Sequence, residues 1–230
     1  MQYIENGIRY HSIGHNHVTV AGFGINTDRA IVKIPTMIGN GCIVSAISDM
    51  AFEKNNVLEE IILPDTVTRI GECAFYKCKN LAVVKIESQD NFDLSEEDCP
   101  LEIYKKAFSG CKKLTKLKCN KPIILTGILA FHNCILLPRV DGKIYGNLPD
   151  KSFLNCMSLA EFSFYDKGTT MGQGCFDDCV NLTRFYIYQD LELTDAFLEE
   201  HKESKFFCGA ESKYLSLIHF GYKVVMLSNY

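Results

Sequence analysis

Three histidines, His11, His15 and His17, fall within seven residues near the start of the chain. Imidazoles this close together could ligate a metal ion, with His15 and His17 on one strand face and His11 across a turn. No carboxylate lies between them, and an exposed polar hairpin is the plainer expectation, so no metal is assigned. The chain has eleven cysteines but no C-x-x-C pair, which removes the usual zinc spacing. Five of them, Cys78, Cys111, Cys134, Cys156 and Cys179, recur at one sequence position, and Asn55 occupies that position at the head of the series. Half of a disulfide is not exchanged for Asn so simply, whereas a small buried weak donor is; the series reads as a stack of free, buried thiols. The odd total leaves at least one thiol unpaired, which fits a reducing compartment better than an oxidising one.

A third group is acidic. Residues 87–98 carry six acids and no base, and Asp90, Asp93, Glu96 and Asp98 could hold calcium. They lack the D-x-D-x-D-G arrangement that wraps one ion, so a protruding solvated loop is expected. Gly168, Gly172 and Gly174 form no phosphate loop, because the following Lys is absent, and there is no G-x-S-x-G elbow. No catalytic residue and no cofactor are assigned. An enzyme with its site in the hairpin histidines or the C-terminal region stays as the weakest alternative.

The elements that would position these groups come from a repeat. Each copy has a small residue and Phe, then Cys or Asn three later, Leu six later, and apolar residues at nine and eleven. The phenylalanines are Phe52, Phe75, Phe108, Phe131, Phe153 and Phe176. Their spacing is 23, 33, 23, 22 and 23 residues, and the long step contains the acidic insertion. A period of that length with an L-x-x-L-x-L core predicts a leucine-rich solenoid. Within each copy, Leu(+6) and the apolar residues at +9 and +11 predict a short strand, and the Ala-Phe segment a tight turn whose ring plugs the core. Six parallel strands about 4.8 Å apart would make one continuous sheet roughly 25–30 Å long.

Residues 1–46 precede the repeat. Gly7–Ile13 and His17–Phe23 alternate apolar and polar around Gly14-His15-Asn16, a hairpin signal, and Ala30–Pro35 supplies a third strand. A cap of this kind is required because a bare solenoid end exposes apolar surface and an unpaired edge. Residues 47–188 hold the six repeats. Residues 189–230 lose the pattern: Ala196-Phe197 keeps the register, but Glu200 and Glu203 replace Cys and Leu. Thr194 is placed to cap a short helix, and Tyr222–Leu227 reads as a strand, giving an α/β C-terminal cap. The expected class is α/β or mainly β, in one elongated domain.

The string from Leu58 through Pro64, Ile70, Gly71, Ala74-Phe75 and Cys78 to Leu81 closely resembles the BspA-type leucine-rich repeat. Gly7-Ile8-Arg9-Tyr10 followed by Val18-Thr19-Val20 resembles that family's usual lead-in. The resemblance implies a right-handed solenoid with a parallel sheet on its concave side. It also implies a bacterial protein of the surface or secreted type that binds proteins or matrix components. The acidic insertion and the C-terminal 40 residues depart from the pattern.

A hydrophobic content of 47% suffices for a continuous core, and a net charge of -4 argues against nucleic-acid or polybasic membrane binding. No apolar run has the length of a membrane span, so no membrane insertion is expected. The N-terminus shows no basic segment followed by an apolar one. With the unpaired thiols, this points to the cytoplasm, against the family tendency toward the cell surface. The expected function is a non-enzymatic module that binds a protein, matrix-like or polymer partner on its concave sheet, the alternative being a structural or self-assembling protein. The outward positions of the strands nominate Lys85, Lys116, Lys118 and Arg139 as a cationic group. Tyr165, Arg184, Tyr186 and Tyr188 form the aromatic centre of the face.

Overall fold

The computed structural model describes residues 1–24, 28–39, 41–87, 99–166, 169–189, 191, 193–209, 217–219 and 221–227. The chain opens with three antiparallel strands, β1 (Gln2–Glu5), β2 (Ile8–Gly14) and β3 (His17–Phe23). The β2–β3 turn has His15 at φ 48° and Asn16 at φ 59°. Two successive left-handed residues make the primed turn whose twist matches a hairpin. His15 therefore lies in the turn, and not on a strand face with His17. Next come β4 (Ile31–Lys33), β5 (Met37–Ile38) and β6 (Cys42–Ile47). The expected third cap strand, β4, leaves the hairpin and opens the repeat sheet, while β6 pairs parallel to β3.

The next three coils carry strands on two sides. One side holds β7 (Glu60–Pro64), β9 (Val83–Glu87) and β11 (Lys116–Cys119), which stack in parallel on β4. The other side holds the shorter β8 (Arg69–Ile70), β10 (Leu101–Ile103), β12 (Ile123–Leu125) and β13 (Ile144–Tyr145). Those extend from β6, so the N-terminal hairpin and the second side form one nine-stranded sheet. The protein is thus mainly β, with parallel sheets.

Inside the coils the repeat positions do what their types require. Leu58, Leu81, Leu114, Leu137, Leu159 and Leu182 are buried, as are the repeat phenylalanines. From Phe52 to Phe176 the rings form a stack with centroids 5.2–5.7 Å apart. Phe23 closes the stack edge-on at 5.2 Å, and Phe197 lies tilted against Phe176 at the far end. A second ladder runs beside it. The thiols of Cys78, Cys111, Cys134, Cys156 and Cys179 donate to the carbonyls of Phe52, Phe75, Phe108, Phe131 and Phe153, one coil back, at 2.8–3.2 Å. Asn55, at the ladder's head, accepts instead from the Val57 and Leu58 amides.

Burial pushes the Cys78 and Cys179 thiols up to about 12 and those of Cys111, Cys134 and Cys156 well above the ordinary range. Such groups stay protonated and unreactive. No disulfide joins any of the eleven cysteines. Titrating the unfolded, non-reduced protein should therefore give eleven thiols, with reductant leaving stability unchanged; a count near one would refute the ladder.

One expectation is corrected. The repeat strands do not form a single six-stranded sheet, because the fourth copy makes no strand. Pro138 has no N–H to give, and Gly142 stands where an inward apolar side chain belongs. Val140 is only partly buried, and the segment touches β11 through one bridge, Lys118 to Asp141. Beyond the break a second sheet begins with β14 (Glu161–Phe164) and β15 (Arg184–Ile187). After α1 (Asp195–Glu200), whose N-cap Thr194 accepts from the Phe197 amide, the chain adds β16 (Lys205–Cys208) and β17 (Lys223–Met226). Strands β14–β17 are parallel and in register. The acidic segment from residue 88 to 98, with its four calcium candidates, lies outside the described residues, as does Gly168.

Candidate binding face

The split sheet separates the nominated residues into two groups. On the first sheet, Lys85 is engaged by Glu60 at 2.7 Å, which raises its pKa through that hydrogen bond. Lys116 and Lys118 are exposed on β11, the last strand before the break. Arg139 belongs to the strandless copy and bonds Asp141 at 2.6 Å and Glu161 at 3.3 Å. An open cleft of about 480 Å³ marks the break, bordered by Lys116, Arg139, Glu161 and Arg184. The cationic group is therefore largely paired or set apart from the tyrosines.

The second sheet brings the aromatic group together. Its outward residues fall in columns across the strands, since every second residue faces the same way. Tyr186 on β15 stacks on Phe207 of β16 at 4.7 Å and 15°, and Val225 of β17, 46% exposed, takes the next place. Two residues along, Tyr165 stacks on Tyr188 at 4.7 Å and 8°, and Tyr145 approaches Tyr165 at 5.9 Å. Lys143 sits over the Tyr165 ring at 5.7 Å. On the other flank Glu161, Arg184, Lys205 and Lys223 align by register. Arg184 pairs with Glu161 at 3.1 Å and Lys223 with Glu203 at 2.7 Å.

Phe207 and Val225 were missed from the sequence, yet a signal existed. Phe206 and Cys208 stand nine and eleven residues after Phe197 and are buried like their counterparts in earlier copies, which forces Phe207 outward. The packing that holds β16 includes His201, buried edge-on against Phe185 at 4.8 Å and tilted against Phe197 at 4.5 Å. Its Nε2 has no hydrogen-bond partner among the described residues, and burial lowers its pKa. The neutral ring is the folded form. Its contribution is full above the unfolded-state value of about 6.5 and is lost as pH falls through the lower folded value. Urea midpoints should drop on acidification through this window, and His201→Leu should flatten that drop; an unchanged slope would mean the ring is not titrating there.

Among the described residues no cluster of three His, Cys, Asp or Glu could hold a metal ion, and no helix is long and apolar enough to cross a membrane. The model of the BspA type leucine rich repeat region matches residues 45–96 and 92–200, with six copies. The chain belongs to the BspA-type leucine-rich repeat family. Solved leucine-rich repeat structures share the fold along nearly the whole chain. A leucine-rich repeat protein of T. pallidum is 20% identical, with 98% of each chain covered and a TM-score of 0.56. One from Bacteroides ovatus is 19% identical, covering 97% of this chain and 67% of that one, with a TM-score of 0.55. No curated protein matches the chain.

Proposed function

We propose that this BspA-type repeat protein is a non-enzymatic interaction module that binds a protein or polymer partner through the outward face of β14–β17. A repeat family of this kind supports an interaction or structural role. The observation that carries the finer reading is the pair of aromatic columns, Tyr186 with Phe207 and Tyr165 with Tyr188, half-buried on one sheet. Stacked rings are already ordered, so a partner gains contact area without the entropic cost of fixing them. Tyr and Arg are also the types most enriched at binding hot spots.

With a partner isolated from the native host, Tyr186→Ala should weaken binding by more than about 1 kcal/mol. A Lys116/Lys118 double change, on the other sheet, should alter the salt dependence at most. Unchanged affinity for Tyr186→Ala and Phe207→Ala, together with losses from changes at Asp93 or Asp98, would move the binding element to the acidic segment.

A further inference from the structure

The strands of the solenoid are interrupted at the fourth copy, but its turns are not. Two residues after a repeat phenylalanine, an amide donates to the following coil. Lys77 meets the Ser109 carbonyl, Gly110 that of His132, Asn133 that of Leu154 and Asn155 that of Asp177, at 2.7–2.9 Å. All four donors hold left-handed φ angles of 57–79°. The turns of the second to sixth coils therefore stay in register, and their exposed residues form one continuous edge.

What this edge presents changes along its length. Just after the ladder cysteines stand Lys79 in the second coil and Lys112-Lys113 in the third, all exposed and without a carboxylate partner among the described residues. In the next three coils the same short segment is apolar: Leu136 is 46% exposed, Met157 45% and Val180 69%. These segments adjoin one another. The Ser158 amide donates to the Ile135 carbonyl at 3.1 Å, and the Asn181 side chain to the Met157 carbonyl at 2.7 Å. At the far end the charge reverses. Asp177 and Asp178 are exposed in the sixth turn, and Glu200 closes α1 just beyond. Burial raises the Cys179 thiol first, and the charges of Asp178, Asp177 and Glu200 raise it further, so the three carboxylates share one neighbourhood.

An edge that runs basic, apolar, acidic repels its own copy laid parallel, because lysines meet lysines. Turned end for end, the same edge is self-complementary. A two-fold axis between the fourth and fifth coils sets each third coil against the partner's sixth and each fourth against the partner's fifth, and every contact occurs twice. Lys112 and Lys113 then face the second copy's Asp177 and Asp178, their aliphatic stems cover Val180, and Leu136 packs near Met157. At about 5 Å per coil the strip is roughly 25 Å long. It is narrow and falls below a standard interface, which makes the association weak and reversible.

We propose that the turn edge of the coils is a self-association surface on which a second copy of this chain docks antiparallel, basic end to acidic end. This goes beyond the partner face. The outward residues of β14–β17 lie on another side of the coils, so a dimer of this kind leaves them uncovered.

The test is sedimentation equilibrium of the intact chain over a range of concentrations. At low salt it should show monomer–dimer exchange with a midpoint on the order of 10–100 μM. At 1 M salt, where charges are screened beyond about 3 Å, the midpoint should rise about fivefold. The double changes Lys112→Glu/Lys113→Glu and Asp177→Lys/Asp178→Lys should each weaken self-association at least about tenfold, since like charges then face each other. An equimolar mixture of these two variants should recover the dimer, because the reversed ends complement each other. Met157→Asp, an exposed position near the axis, should weaken the dimer by about tenfold as well. Unchanged melting temperatures show that the variants are folded. A monomer at every concentration, or a dimer indifferent to both charge reversals or to Met157→Asp, would overturn the proposal. So would a mixture of the two folded, charge-reversed variants that stays monomeric.

Discussion

Phe131→Ala should lower the unfolding free energy by about 3–5 kcal/mol. The ring is fully buried and stacked between Phe108 at 5.3 Å and Phe153 at 5.2 Å, both within 7° of parallel. Its removal takes away apolar area and contacts on both faces at once. The coil cannot collapse into the gap, because its backbone is held on both sides. The Phe131 amide donates to the Ser152 carbonyl at 2.8 Å, and the Phe108 amide to the Ala130 carbonyl at 2.9 Å. The cost is thus the transfer term plus a persistent cavity, at the upper end of the range for core truncations. A urea series showing less than about 1 kcal/mol would mean that the stack does not carry the core.

Gly127→Ala should be nearly as damaging, although it only adds a methyl group. A Cβ at this position would lie 2.1 Å from the backbone nitrogen of Lys105 and 2.4 Å from its Cα, on the preceding coil. Those atoms are main chain and cannot rotate away. The two coils must separate locally, at the expense of the Lys106 amide to Ile128 carbonyl bond at 3.1 Å and the Thr126 amide to Ile103 carbonyl bond at 3.0 Å. Overpacking of this kind costs about 3 kcal/mol. Gly146→Ala serves as the comparison, since nothing lies within 4 Å of its added Cβ and only its φ of 73° opposes the change. A thermal melt in which Gly146→Ala is the worse of the two would contradict the close approach of the coils.

Much of this architecture was legible because it repeats. Phe and Leu at fixed offsets in six copies, with Cys between them in five, cannot recur by local propensity alone, and the structure places each of them in the core. The thiol series was readable as a buried donor ladder because Asn55 replaces its first member; its acceptors, the phenylalanine carbonyls, belong to the neighbouring coil and leave no trace in the sequence. The break in the sheet had a trace in Pro138 and Gly142, but a period that continues past a defect hides it. Strands such as Arg69–Ile70 are too short to show an alternation, so the second side of each coil was invisible. In the candidate face, Tyr165, Tyr186 and Tyr188 follow from period-two geometry. Phe207 was masked by the loss of Cys and Leu at Glu200 and Glu203, whose places are taken up by α1 and the packing of His201.

The most direct measurement of the central claim is a photo-cross-linking scan. A benzophenone side chain would be placed singly at Phe207 and Val225 on the second sheet, at Lys85 and Lys118 on the first, and at Arg69 on the opposite side of the coils. Each version would then be irradiated with the native partner. The account predicts covalent adducts from Phe207 and Val225 and none above background from Lys85 or Arg69. Adducts concentrated at Arg69 or Lys85, with none at Phe207 and Val225, would contradict it.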